Sequence, residues 1–264
     1  MNNNMKITIL FIGLVFLTFT SSCKKIDAAK GTKSDHVIQY GNFNGIVLES
    51  GGNLYYTEDS TQYSIVINTT DKVFEAMNIR VENNQLVIGL EKGYSIKNPE
   101  EISIYVSAPL CKDYLISGTG KIEINRTTDS ILDRCEMIVS GSGNILVNQM
   151  DAIELFSLIS GQGNIAVQNM NVTNNAGVVS GAGDIAFYGD TYTNYLQVSG
   201  TGNINSFSLN SVHANVVFSG SASARVRVDS TLNVDISGYG NVFYKGYPSI
   251  TTNISGDGNV VDSN

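Results

Sequence analysis

One hexapeptide returns eight times in the second half of this chain, and no other feature restricts its fold as tightly. The copies begin at Ser117, Ser140, Ser160, Ser180, Ser199, Ser219, Ser237 and Ser255, and their consensus is Ser-Gly-x-Gly-Asn-Ile. Successive serines stand 23, 20, 20, 19, 20, 18 and 18 residues apart. A fixed period near 20 means that each copy is one supersecondary unit able to bury its apolar side only against its neighbours. That is a solenoid.

The columns of the repeat say which solenoid. One residue before each serine lie Ile116, Val139, Ile159, Val179, Val198, Phe218, Ile236 and Ile254. Five residues after it lie Ile122, Ile145, Ile165, Ile185, Ile204, Ala224, Val242 and Val260. β-branched and other apolar residues on both sides of a glycine turn describe strand, corner, strand. Two glycines occupy that turn in seven copies, where positive φ is expected. Asn or Asp follows the second glycine in six of eight, as stacked asparagines would require. The expected fold is therefore all-β. It is a parallel β-helix of about eight coils over residues 111–264, a rod of roughly 38 Å at ~4.8 Å per coil.

Residues 37–110 are rich in strand candidates (46–48, 63–67, 79–81, 86–90 and 102–106) but lack the hexapeptide. Val81-Glu82-Asn83-Asn84-Gln85-Leu86 reads as a hairpin, so this N-terminal β region is partly antiparallel and forms a cap or the first coils. Composition agrees with an all-β chain. Apolar residues make 42% and charged residues only 15%, with 26 Gly and 29 Asn in their place. A helical enzyme would carry more Lys, Glu and Arg. The chain is too apolar to be disordered, and at a net charge of -8 it offers nucleic acid no cationic surface.

Lys6 precedes a 14-residue apolar run over residues 7–20, too short to span a bilayer but matched to a signal-peptide core. The run closes on Leu17-Thr18-Phe19-Thr20-Ser21-Ser22-Cys23, small residues ahead of a cysteine, as in a bacterial lipobox. Residues 1–22 are thus expected to be a lipoprotein signal peptide, with Cys23 lipidated and residues 23–36 a tether to the membrane. Cys111 and Cys135 read as buried free thiols, with a disulfide between them the alternative in a compartment that permits one.

The lipobox, the opening Phe43-Asn44-Gly45-Ile46 and the Ser-Gly-x-Gly-Asn-Ile ladder together resemble the "putative auto-transporter adhesin, head GIN domain" family. The resemblance spans nearly all of residues 37–261. It implies a β-helical fold, an adhesin role and a Bacteroidota envelope lipoprotein, and it supplies no catalytic residues. The repeats run to Val261, leaving no room for a translocator barrel, so the lipid on Cys23 is expected to be the anchor.

Chemistry-bearing motifs are few. Gly118-Thr119-Gly120-Lys121 mimics part of a phosphate loop, but Leu115 and Ile122 stand where that motif needs Gly and Ser or Thr. Calcium-binding β-rolls need an acid in every repeat, and Asp184 is the only one in the Asn column. His36 and His213 are isolated, so neither a metal nor another cofactor is expected. Asp151, Asp190, Asp229 and Asp235 read as solvated turn residues scattered over different columns, which argues against an enzyme. Tyr188, Tyr192 and Tyr195, and again Tyr239, Tyr244 and Tyr247, cluster along the chain and are the candidate contacts for a glycan or an envelope or host protein. Ser60, Ser130 and Ser230 each follow an Asp and precede Thr or Ile, as in the O-glycosylation sequon of Bacteroidota. Leu115, Ile138, Leu158 and Val178, two before their serines, form an apolar column on the outward side of the strand. Such a column calls for a cover: the N-terminal sheet folding back is the expected one, with a partner or a second copy the alternative.

The reading is a non-enzymatic, lipid-anchored adhesin-like or ligand-binding solenoid of the outer membrane, on the cell surface or the periplasmic face. Its rivals are a carbohydrate-active β-helix enzyme, which needs side chains converging from neighbouring coils, and a periplasm-facing structural lipoprotein.

Overall fold

The computed structural model describes residues 23–126 and 130–264. The N-terminal part contains β1 (Lys24–Asp27), β2 (Lys33–Ile38), β3 (Gly45–Leu48), β4 (Asn53–Glu58) and β5 (Ser64–Thr70), then the one-turn helix α1 (Asp71–Phe74). After α1 come β6 (Met77–Glu82), β7 (Gln85–Leu90), β8 (Tyr94–Lys97) and β9 (Ser103–Ala108). The repeat region continues as β10 (Asp113–Ile116), β11 (Lys121–Asn125), β12 (Leu132–Val139), β13 (Asn144–Val147), β14 (Met150–Ile159) and β15 (Asn164–Val179). It ends with β16 (Ile185–Val198), β17 (Ile204–Phe218), β18 (Ser221–Ile236), β19 (Tyr239–Lys245), β20 (Ser249–Ile254) and β21 (Asn259–Asp262).

Every pairing from β10 to β21 is parallel and joins residues about one repeat apart, as in Asn144 beside Asn164 and Ile165 beside Ile185. Eight Ser-Gly corners bound about seven full turns of a β-solenoid. The coil is three-sided. In β15, Ile165 and Val167 point inward, then Met170 and Val172, then Asn175 and Val179, and all six are buried. The inward period of two breaks at residues 168–169 and 173–174, so the strand turns a corner at each place. Each fully buried Val, Ile or Leu contributes about 1.5–3 kcal/mol, and these inward columns run the length of the rod.

The glycines are there for a different reason from the expected one. Positive φ among glycines occurs at Gly31, Gly52, Gly93, Gly189 and Gly246, and at none of those in the eight serine corners. Consecutive corners instead stack backbone on backbone: a Cβ on Gly163 would overlap the carbonyl oxygen of Gly143, and one on Gly161 that of Gly141. Close approach across one rung excludes a side chain there. The Asn column behaves as its composition suggests. Asn164 donates to the Asn144 side chain at 2.8 Å, Asn203 to Asp184 at 3.0 Å and Asn259 to Asn241 at 3.2 Å.

At the N-terminal end, sequence order and stacking order part company. β3 and β4 stack in parallel on β10 and β11, and β7 and β9 stack in turn on β3 and β4. The chain thus enters at the second rung, doubles back to lay the outermost one, and only then starts the repeats. Register pairs Lys121 with Asn53, which identifies Glu49-Ser50-Gly51-Gly52-Asn53-Leu54 as a degenerate copy of the hexapeptide. The outermost rung is closed by antiparallel strands, β6 on β7 and β5 on β9, with β2 on β5. The 81–86 hairpin is present, with Asn83 and Asn84 at φ 51° and 60°, the left-handed pair of a type I′ turn.

Residues 23–36, expected to be a tether, are built into the fold: β1 pairs with β8, and β2 joins the capping sheet. The expected cover for the apolar column is likewise not where the strand pattern suggested. The N-terminal strands extend the ladder lengthwise, so the column continues from Leu115 into Val47 and Val87 rather than being roofed by them. Leu115, Ile138, Leu158 and Val178 are half-buried. Neighbouring rungs ~4.8 Å apart shield each other's flanks, which leaves only the outer edge of each side chain in water.

A buried clamp ties the cap to the repeats. Arg126 Nε meets Glu58 Oε2 at 3.1 Å, with the two side chains 1% and 5% exposed. The same guanidinium donates to the Asp151 carbonyl at 3.1 Å and to the Ser130 carbonyl at 2.6 Å.

Candidate functional site

The third side of the coil carries the outward columns six, four and two residues before each ladder serine. The column at minus four reads Asp113, Glu136, Phe156, Ala176, Tyr195, Asn215, Asn233 and Thr251, each beside the next in parallel register. Phe156 and Tyr195 therefore stand two rungs apart, about 9.6 Å at the usual strand spacing, with only the Ala176 methyl between them. The result is a cleft of about 340 Å³.

Its walls are the two rings. Arg134, Glu154, Asn174 and Thr193, from the column at minus six, edge the cleft on one flank. Leu158 and Val178 occupy the column on the other flank. Tyr195 donates its hydroxyl to Gln197 Oε1 at 2.9 Å, and Arg134 meets Glu136 at 3.4 Å. The floor is rigid, because Asn175 points inward and donates to the Asn194 side chain at 2.9 Å inside the core. Apolar walls with a few polar groups on one edge are the usual make-up of a small-ligand site, here at the small end of the range.

The tyrosines clustered along the chain do not cluster in space. Tyr188, Tyr192 and Tyr195 belong to one coil and are spread round its perimeter. Tyr188 lies at the end of side one beside Ser208, and Tyr192 at the next corner, edge-on to His213 at 5.1 Å. Tyr244 points inward above Val226 and is half-buried, so it is not a surface aromatic. Burial raises the Tyr244 phenol, helped by Asp262. Tyr239 and Tyr247 are exposed at two different corners, 66% and 91%. Of these, Tyr195 shares its outward column with another aromatic, Phe156, which comes from a coil two repeats earlier and faces it across the Ala176 gap. Counting back four from Ser160, Ser180 and Ser199 would have found the trio.

Asp151 and Asp190 do share one column, with Asn171 between them, whereas Asp229 and Asp235 lie elsewhere. No group of three or more His, Cys, Asp or Glu able to hold a metal ion occurs among the described residues. His213 bonds Thr231 at 2.7 Å, and His36 stacks on Phe74 at 4.0 Å. Cys111 and Cys135 are free and buried, and burial pushes the Cys111 thiol up to about 12 and the Cys135 thiol higher still.

All three sequon serines, Ser60, Ser130 and Ser230, are exposed. The Ser130 hydroxyl is held by Arg126 at 3.1 Å and Glu58 at 3.3 Å, and Asp129 lies outside the described residues. Cys23 is exposed immediately before β1, while residues 1–22, expected to be a signal peptide with its lipobox, lie outside the described residues.

Parallel rungs stacked on three sides and closed at one end by antiparallel strands place the chain in the class of β-solenoids. The chain belongs to the "putative auto-transporter adhesin, head GIN domain" family, whose model matches residues 42–248. A crystal structure of a "putative lipid binding protein" from Parabacteroides distasonis superposes with a TM-score of 0.85 at 22% identity, covering 91% of this chain and 100% of that one. A "putative adhesin" from Parabacteroides merdae gives 0.83 at 19% identity, covering 91% and 99%. One from Bacteroides fragilis gives 0.68 at 19%, covering 90% and 100%. At these identities the likeness is one of fold. No functionally curated protein matches the sequence.

Proposed function

We propose that this protein is a lipid-anchored, non-enzymatic adhesin-like module of the bacterial envelope that binds a glycan on side three of its solenoid. The observation that carries the reading is the Phe156–Ala176–Tyr195 cleft. Two rings flanking a one-rung gap offer apolar contact to the faces of a sugar, and the Glu154, Asn174 and Thr193 edge offers hydrogen bonds to its hydroxyls. Family membership supports the adhesin role, and the small residues Thr20-Ser21-Ser22 ahead of Cys23 support the anchor.

Screening the chain from residue 23, with Cys23→Ser, on a glycan array tests the binding. Phe156→Ala and Tyr195→Ala should each weaken the best neutral glycan at least tenfold. Unaltered binding in both variants would refute the site. Anchoring is tested separately: Cys23→Ser in the full-length precursor should leave the membrane fraction, because acyl burial worth about 0.8 kcal/mol per CH₂ is lost.

A further inference from the structure

Between residue 135 and the C-terminus the sequence holds nine acids and only three cations, Arg225, Arg227 and Lys245. The fold brings all three to β18 and β19. Arg227 and Lys245 are direct neighbours across the rung, and Arg225 is on the same strand two residues before Arg227. Like charges directly opposite on adjacent strands repel. Yet none of the three forms an ion pair within 4.0 Å among the described residues, although acids outnumber them in this half.

Two of them rest on aromatic rings instead. Arg225 lies over Phe243 at 5.5 Å and Lys245 over Phe207 at 4.8 Å, which fixes both heads without neutralising them. Beside them is a cleft of about 500 Å³ lined by Arg227, Asp229, Lys245, Gly246, Tyr247 and Asn264. Its base is well held. Gly246 has φ 97°, a Cβ there would overlap the Val228 carbonyl oxygen, and the Asn264 side chain bonds both Gly246 N at 2.8 Å and Gly246 O at 3.0 Å. Tyr247, 91% exposed, leaves its ring faces open to solvent.

We propose that this cleft is a second binding site, independent of the one on side three, and that its ligand is an acidic saccharide. Arg227 and Lys245 take the carboxylate or sulfate, Tyr247 stacks on the ring, and the Asp229 carboxylate accepts hydrogen bonds from hydroxyls. Asp229 decides the class. A carboxylate in the cleft disfavours a bare inorganic anion, whereas a sugar carries hydroxyls that it can receive.

The test uses the chain from residue 23 with Cys23→Ser, titrated by calorimetry with oligogalacturonate, chondroitin sulfate oligosaccharide, neutral dextran and sodium sulfate. One or both acidic oligosaccharides should bind, more weakly as salt is raised, and dextran should not compete. Arg227→Gln, Lys245→Gln and Tyr247→Ala should each weaken binding at least tenfold with the unfolding midpoint unchanged. Phe156→Ala should leave it intact, which separates this site from the side-three cleft. The proposal is overturned if neither acidic oligosaccharide binds, if Arg227→Gln and Lys245→Gln both bind as wild type, or if sulfate alone displaces the sugar at equal concentration.

Discussion

Replacing Arg126 by Met removes the buried end of the clamp that joins β4 to the repeats. The guanidinium, 1% exposed, faces Glu58 at 3.1 Å and donates to the carbonyls of Ser130 and Asp151. Its removal takes the guanidinium away from a 5%-exposed carboxylate, and two carbonyls lose a donor. Breaking one side of a buried pair costs about 3–5 kcal/mol. For a domain of this size that lowers the melting temperature by roughly 6–20 °C. Removing both charges, as Glu58→Leu with Arg126→Met, should be milder than Arg126→Met alone, since no buried charge then remains. Urea unfolding of the two single variants and the double variant gives the coupling directly. A loss below about 1 kcal/mol in Arg126→Met, or a double variant less stable than Arg126→Met, would refute the reasoning.

Other outcomes follow from the same geometry. Gly163→Ala should cost about 3 kcal/mol because the backbone of one coil must move off the next, whereas Gly93→Ala, with φ 86° and open space round the Cβ, should cost about 1 kcal/mol. Equal urea midpoints for the two would show that the corners do not stack closely. Leu158→Lys and Asn253→Lys should differ by no more than about 1 kcal/mol, since both point outward and no described residue roofs the column. A much larger loss at Leu158 would reveal a cover. Cys111 and Cys135 should resist iodoacetamide at pH 8 until the chain is unfolded. Because the folded Cys111 thiol keeps its proton up to about 12 against a normal 9.0, its contribution to stability is complete below pH 9 and is lost as pH rises toward 12. The slope is about 1.4 kcal/mol per pH unit for each such thiol. A midpoint that stays flat from pH 8 to 11 would contradict this burial.

The solenoid itself was legible in the residues. A 20-residue period with two apolar columns flanking a Gly-Asn corner admits few folds, because each unit must stack to bury anything at all. The inward columns, the asparagine ladder and the 81–86 hairpin all follow from local pattern. What the pattern left open was every relation set by stacking rather than by neighbourhood along the chain. Only stacking shows that 45–58 is the second rung and 85–108 the outermost, because the intervening strands hide the degenerate copy at Glu49–Leu54 from any fixed spacing. Only stacking explains the corner glycines as a close approach between coils instead of a left-handed turn. The same cause separates the tyrosines and brings Phe156 to Tyr195: in a parallel coil, residues near in sequence are distributed round the perimeter, and residues about one repeat apart become the neighbours.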